Sequence, residues 1–157
     1  MIPIGSVAPD FSLRNQHREL VRLSDLVGRE NVVVAFHPLC FTPVCAVQMQ
    51  TYERHKPKLD ALGARVLSIS VDSDATKKGW ADSLGGISYD LLSDFHPKGH
   101  VAGLYGVMRD DGISERAIFI VDKSGRIAWA KKCDIPEQPD VEELLKELAK
   151  LKKSARD

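Results

Sequence analysis

The run Asn31-Val32-Val33-Val34-Ala35-Phe36 constrains the fold of this chain more than any other segment. It is apolar and largely β-branched, without the alternation of a strand that keeps one face in water, so both of its faces need a cover. Such a strand belongs in the middle of a sheet with other elements packed above and below it, an α/β layer arrangement. Its end at Phe36 leads through a short loop into a segment of helical pattern starting near Thr42. In sheets of this kind the loop leaving the end of a central strand is where ligands and chemistry collect.

The flanking segments supply the layers. Phe11 to Leu13 and Leu20 to Leu23 read as two short strands joined by the polar turn Asn15-Gln16-His17-Arg18. Ser24 to Gly28 reads as a brief capped helical turn. From Thr42 to about Leu62 the residues Val44, Val47, Met49, Tyr52, Leu59 and Leu62 form a loose apolar stripe, ended by Gly63 and kinked or shortened at Pro57. Ala64 to Val71 is a second buried strand, and Asp72-Ser73-Asp74 offers capping oxygens to a helix reaching Leu84, which completes a right-handed βαβ unit. A short strand at Asp90 to Leu92 then leads to a small helix over Pro97 to Leu104, with Pro97 in its first turn. Arg116 to Val121 and Arg126 to Lys131 flank the turn Asp122-Lys123-Ser124-Gly125 as a hairpin, and Asp140 to Lys152 carries leucines at helical spacing.

No repeat, low-complexity tract or Ser/Gly linker divides the 157 residues, so the expectation is one domain over 1–157. Lys and Arg number 22 and Asp and Glu number 22, a balance of zero without the basic field that nucleic acid requires. The basic stretch Lys146 to Arg156 reads as a solvated helix end. No window of about 18 apolar residues suits a membrane span, and the start Met1-Ile2-Pro3-Ile4-Gly5-Ser6 lacks the pattern of a signal peptide, so the expected setting is cytoplasmic, away from membranes. Three cysteines, an odd number, direct attention to thiol reactivity rather than to a disulfide framework.

Of the three, Cys45 stands at the start of a helix, where unpaired backbone N–H groups and the positive end of the dipole favour thiolate over thiol. Thr42 is placed either to aim a hydroxyl at the sulfur or an incoming oxygen, or simply to cap the helix. Pro38 either shields the thiol from water or punctuates the loop. His37, Cys40 and Cys45 have the spacing His-x2-Cys-x4-Cys, which lacks a fourth metal ligand, so no metal is expected. His96 and His100, around the small helix, are expected to face solvent.

Taken together, Pro-x3-Thr-x2-Cys between a buried strand and a helix resembles the peroxiredoxin signature. Val7-Ala8-Pro9-Asp10-Phe11, Leu92-Ser93-Asp94 and Arg116-Ala117-Ile118-Phe119-Ile120-Val121-Asp122 resemble further segments of that family, so the likeness runs along most of the chain. The resemblance implies a thioredoxin fold with an N-terminal hairpin and a central insertion, a mixed sheet flanked by helices. It implies a thiol-dependent peroxidase in which the Cys45 thiolate attacks hydrogen peroxide or an organic hydroperoxide and becomes a sulfenic acid. Thr42 and the backbone N–H groups of Val44 and Cys45 would hold the peroxide oxygens. Arg116 would stand as a permanent cation beside the sulfur, the alternative being a surface ion pair with a neighbour such as Glu115. Gln48 matches a position where relatives carry Glu or Gln bonded to the arginine, although a polar residue there is also ordinary helix surface. No metal or organic cofactor is implied.

Relatives with a resolving cysteine five residues after the reactive one have it where this chain has Gln50. Leu92-Ser93-Asp94-Phe95 and Ser114-Glu115-Arg116 resemble the one-cysteine, AhpE-like type, which implies reduction by an external thiol, a redoxin or a low-molecular-weight thiol. The alternatives are an atypical two-cysteine enzyme resolved by Cys40 or by Cys133, with Cys133 also placed to pair between subunits. The sequence His37-Pro38 resembles another one-cysteine branch in which the histidine stands near the reactive sulfur. The family suggests a homodimer packed through loops near the site, in which Tyr105 and Trp80 are either contact residues or core aromatics. Outside catalysis, the competing reading is a redox-responsive interaction or holdase protein that exposes apolar surface on oxidation.

Overall fold

The structure is a computed structural model that describes residues 1–156. One seven-stranded sheet forms its centre, built from β1 (Ser12–Arg14), β2 (Leu20–Arg22), β3 (Asn31–Phe36), β4 (Ala64–Ser70), β5 (Asp90–Ser93), β6 (Arg116–Val121) and β7 (Ile127–Cys133) in the order β2-β1-β5-β4-β3-β6-β7. The three strands β3, β4 and β5 run parallel, while β6 and β7 on one side and β1 and β2 on the other run antiparallel to their neighbours. Every residue of β3 is buried, as its unbroken apolar character requires.

The alternation of side chains along the strands divides the interior in two. Val33 and Ala35 of β3, Val66 of β4, and Ile118 and Ile120 of β6 face the layer made by α1 (Pro43–Arg54), α2 (Lys56–Ala61), α3 (Asp74–Ser83) and α5 (Val141–Arg156). Val32, Val34, Phe36, Leu67, Ile69, Ala117 and Phe119 face the opposite way, toward the N-terminal segment and the short α4 (His100–Leu104). Trp80 and Tyr105 are core aromatics, one in each of these layers, and so are not contact residues of an exposed patch.

Register then places the chemistry. Phe36 lies opposite Ile69 on one side and Ala117 on the other, all three on the α4 face. One step along each strand, His37, Ser70 and Arg116 therefore point to the helical face that carries Cys45. They converge at the carboxyl ends of the parallel strands.

Several local expectations need adjustment. The apolar face of α1 consists of Cys45, Gln48, Met49 and Tyr52, whereas Val47 is exposed and Val44 half-buried, so the helix is rotated from the stripe drawn through those two valines. Pro57 opens α2 rather than kinking one continuous helix, and a break at His55 separates the two. The first short helical turn (Leu23–Asp25) has no side-chain cap; Ser24 instead uses its amide, donated to Asp10 Oδ1 at 2.9 Å. The small helix begins at His100 and not at Pro97, because the Asp94 carboxylate accepts the amides of Val101 at 3.1 Å and Ala102 at 2.9 Å and so fixes the first turn there. In contrast Ser73 caps α3 as its sequence suggests, accepting the Thr76 amide at 3.1 Å. The Asp122-to-Gly125 turn is held by Asp122 Oδ1, which accepts from Ser124 N at 2.9 Å and Arg126 N at 3.1 Å.

Candidate active site

Cys45 is the third residue of α1, following the extended N-cap Thr42 and Pro43, a residue suited to the first helical position because it has no N–H to satisfy. The amides of Val44 and Cys45 belong to the first turn, where the helix itself supplies no acceptor. The sulfur is 0% exposed, beneath the loop His37 to Thr42. Thr42 Oγ1 donates to the Leu39 carbonyl at 2.7 Å, a bond that closes the loop rather than capping the helix and leaves the hydroxyl lone pairs free to accept. Pro38 is buried.

Arg116 comes to the sulfur from the first position of β6. Its guanidinium is 2% exposed, with Nη1 at 3.4 Å from Cys45 Sγ and 2.7 Å from Gln48 Oε1, and with Nε donating to the Ile135 carbonyl at 3.0 Å. Glu115, its neighbour in sequence, instead pairs with Arg109 at 3.5 Å, so Arg116 does not form the surface ion pair. Its oxygen acceptors are both neutral. A buried cation with neutral partners is unfavourable by several kcal/mol unless an anion stands nearby, and the group in contact that can carry the charge is the Cys45 sulfur.

Gln48 is 1% exposed and is no part of the helix surface. One turn beyond Cys45, it bridges Arg116 and Tyr52, whose hydroxyl accepts from Gln48 Nε2 at 3.0 Å. That bond orients the amide with its oxygen toward the guanidinium. Burial holds the Tyr52 hydroxyl well above the usual tyrosine range, so it remains a neutral partner.

A second polar group lies on the other side of the loop. Lys77 of α3 is fully buried, on the apolar face that also carries Trp80 and Ala81. Its ammonium contacts His37 Nε2 at 3.1 Å and bonds Ser70 Oγ. Ser70 in turn donates to Asp72 Oδ2 at 2.6 Å, and the same oxygen accepts the Cys40 amide at 2.9 Å. Burial pushes Lys77 below the usual lysine range, opposed by Cys40, Asp72 and Cys45. His37 is held well below the ordinary histidine range by burial, then by Lys77 and Arg116, and is therefore neutral. Its ring lies against Trp80 with centroids 5.2 Å apart.

The other two cysteines are also reduced and buried. Cys40 Sγ lies 3.8 Å from Ser70 Oγ, and burial is the main reason its thiol is pushed up to about 12, with Lys77 pulling the other way and Asp72 adding to the rise. Cys133 is opposite Arg116 in the β6–β7 register, and burial followed by Glu137 raises it as well. Neither is a ready nucleophile at neutral pH while the fold is closed. Phe41, between Cys40 and Thr42, is 60% exposed and adopts φ +61°, a conformation rare outside glycine. His96 and His100 are exposed, away from this cluster. Among the described residues no group of three or more His, Cys, Asp or Glu side chains could hold a metal ion, and no helix is long and apolar enough to cross a membrane.

Lys77, Ser70, Asp72 and Tyr52 were not singled out as site residues by sequence reasoning. A signal existed for the first: Lys77 lies three and four residues before Trp80 and Ala81, a lysine on an apolar helical face.

A thioredoxin-like sheet with a buried cysteine at a helix start and an arginine against its sulfur defines a cysteine-based redox enzyme. The model of the AhpC/TSA family matches residues 4–130. The alkyl hydroperoxide reductase E of Mycobacterium tuberculosis is 40% identical over 132 residues, covering 83% of this chain and 86% of that protein. Among solved structures, the AhpC of Enterococcus faecalis superposes with a TM-score of 0.87 at 30% identity, covering 99% of this chain and 96% of that one. The reduced 2-Cys peroxiredoxin of Plasmodium vivax gives 0.89 at 25% identity, over 98% and 83%. The chain belongs to the AhpC/TSA family of peroxiredoxins. It is a thiol-dependent peroxidase, an antioxidant oxidoreductase with the thioredoxin-like fold of that family.

Proposed function

We propose that Cys45 is the peroxide-reducing thiolate and that an external thiol returns it to the reduced state. The observation that carries this is the contact between Arg116 Nη1 and Cys45 Sγ at 3.4 Å, which gives a buried cation its anion. The thiolate attacks the terminal oxygen of ROOH, the O–O bond breaks, and RO⁻ leaves and takes up a proton as ROH. Cys45 is left as a sulfenic acid. The Val44 and Cys45 amides hold the peroxide oxygens, the Thr42 hydroxyl accepts the peroxide O–H, Arg116 orients the oxygens, and Gln48 orients Arg116. Pro38 keeps bulk water from the sulfur and His37 supplies a neutral wall beneath it. The reductant, a redoxin or a low-molecular-weight thiol, displaces hydroxide from the sulfenic sulfur to form a mixed disulfide and water, and a second thiol releases Cys45. The name of the alkyl hydroperoxide reductase relative favours organic hydroperoxides as substrates alongside hydrogen peroxide.

External reduction is preferred to resolution by Cys40 or Cys133 because both thiols are buried and held protonated. The test has two arms. Cys45→Ser abolishes peroxide consumption while keeping the fold; retained activity in that variant refutes the assignment. After one equivalent of peroxide, intact-mass spectrometry gives Cys45 sulfenic acid, trapped by dimedone, whereas an intramolecular disulfide in most molecules refutes external reduction. The exposed apolar side chains Leu39, Phe41 and Val47, on the site loop and α1, support a homodimer packed through this face, which light scattering at micromolar concentration checks.

A further inference from the structure

A fully buried lysine is unusual, because an ammonium gives up its hydration on entering the interior and needs strong partners in exchange. Lys77 has no carboxylate in direct contact. Its acceptors are His37 Nε2 and Ser70 Oγ, and the nearest acid, Asp72, is reached only through the serine. An ammonium has protons to give and no lone pair to receive one, so His37 Nε2 must accept. The histidine proton then resides on Nδ1, which is buried without a partner. A fold that strands an N–H in this way holds the ring by something stronger, and the contact available is the one to Lys77.

The two branches from Lys77 end on the two sides of one short segment. His37 immediately precedes Pro38, and the Cys40 amide follows Leu39. We propose that Lys77 is a positioning residue of the peroxidase site: its ammonium fixes His37 as the Nδ1–H tautomer and, through Ser70 and Asp72, fixes the Cys40 amide, so that one buried amine holds the segment leading to Cys45. This rests on Cys45 being the peroxide-reducing thiol. The groups facing His37 are Lys77 from α3, Arg116 from β6 and the Trp80 ring, while Cys40, Cys45 and Asp72 face Lys77.

Lys77→Met keeps most of the volume and removes the donor. NMR of the protein labelled with nitrogen-15 histidine, with His37 assigned by the loss of its signals in His37→Phe, reads the tautomer directly. The wild type shows a protonated Nδ1 and a bare Nε2; in Lys77→Met the proton moves to Nε2 or exchanges between the two nitrogens. Stopped-flow oxidation by hydrogen peroxide slows about tenfold in Lys77→Met, the effect of one lost buried charge-assisted hydrogen bond on the reacting geometry. In the His37→Phe background the same substitution has a smaller effect, since half of what Lys77 holds is already gone. Ser70→Ala, which cuts only the branch to Asp72, slows oxidation about threefold and leaves the His37 tautomer unchanged, and it keeps the question open to measurement if Lys77→Met does not fold. A wild-type rate in Lys77→Met, an unchanged tautomer in that variant, or a wild-type rate in Ser70→Ala overturns the proposal. If Cys45→Ser still consumes peroxide, the reading of Cys45 fails, and the tautomer measurement still decides whether Lys77 governs His37.

Discussion

Two cysteines five residues apart, both buried and both beside cations, have opposite surroundings. Cys45 meets a guanidinium whose other acceptors are a neutral amide oxygen and a backbone carbonyl, with no acid in contact. Cys40 meets the Lys77 and Ser70 cluster together with the Asp72 carboxylate, and its thiol is pushed up to about 12. The difference teaches that burial and a nearby cation do not by themselves activate a thiol. On the Cys40 side burial raises the thiol and the Asp72 carboxylate adds to the rise against the pull of Lys77, whereas none of the groups bonded to Arg116 beside Cys45 is an acid.

The largest test of that contrast is Arg116→Met. It removes the cation without adding a charge, and peroxide reduction should fall about 10²–10³-fold, as for loss of a preorganised electrostatic donor. A loss below tenfold in stopped-flow oxidation would show that the helix start alone suffices. Next in size is an effect on stability at high pH. Because the folded Cys40 thiol is raised from 9.0 to about 12, the folded state retains its proton more tightly, so the contribution is complete below about pH 9 and disappears as pH rises toward 12. Cys40→Ala should therefore lose less stability than the wild type across that window in urea titrations, and parallel curves would remove Cys40 from the comparison. The smallest effect is expected for Tyr52→Phe, which frees the Gln48 amide to rotate. Oxidation should slow about threefold, in line with one buried neutral hydrogen bond of about 0.5–1.5 kcal/mol, and an unchanged rate would mean that Arg116 alone orients the amide.

The parts of the site that sequence reasoning reached are those whose meaning is local. Pro38, Thr42 and Cys45 lie on one loop between a strand and a helix, and Arg116 opens a strand whose apolar character is plain. Gln48 is placed beside the arginine only by the family resemblance and Lys77 not at all, because a polar residue on a helix is ordinarily solvated, and what buries each of them comes from far along the chain. Arg116 reaches Gln48 across 68 positions, and Lys77 reaches His37 across 40. The observed face of α1 departs from the valine stripe for a related reason: with a glutamine on the buried face, periodicity favours the valines as the inward set. The small helix starts later than Pro97 suggests because a carboxylate in the preceding turn, rather than the proline, fixes where the first helical amides lie.

Phe41 carries a consequence for how the outer edge of the site is held. Its left-handed backbone costs about 1–2 kcal/mol relative to an ordinary conformation, and its ring, although 60% exposed as a residue, lies over Trp80 with centroids 6.4 Å apart. The strained residue thus rests on α3, the helix whose Lys77 contacts His37, so the segment leading to Cys45 is tied to that helix both at its buried end and at its outer edge.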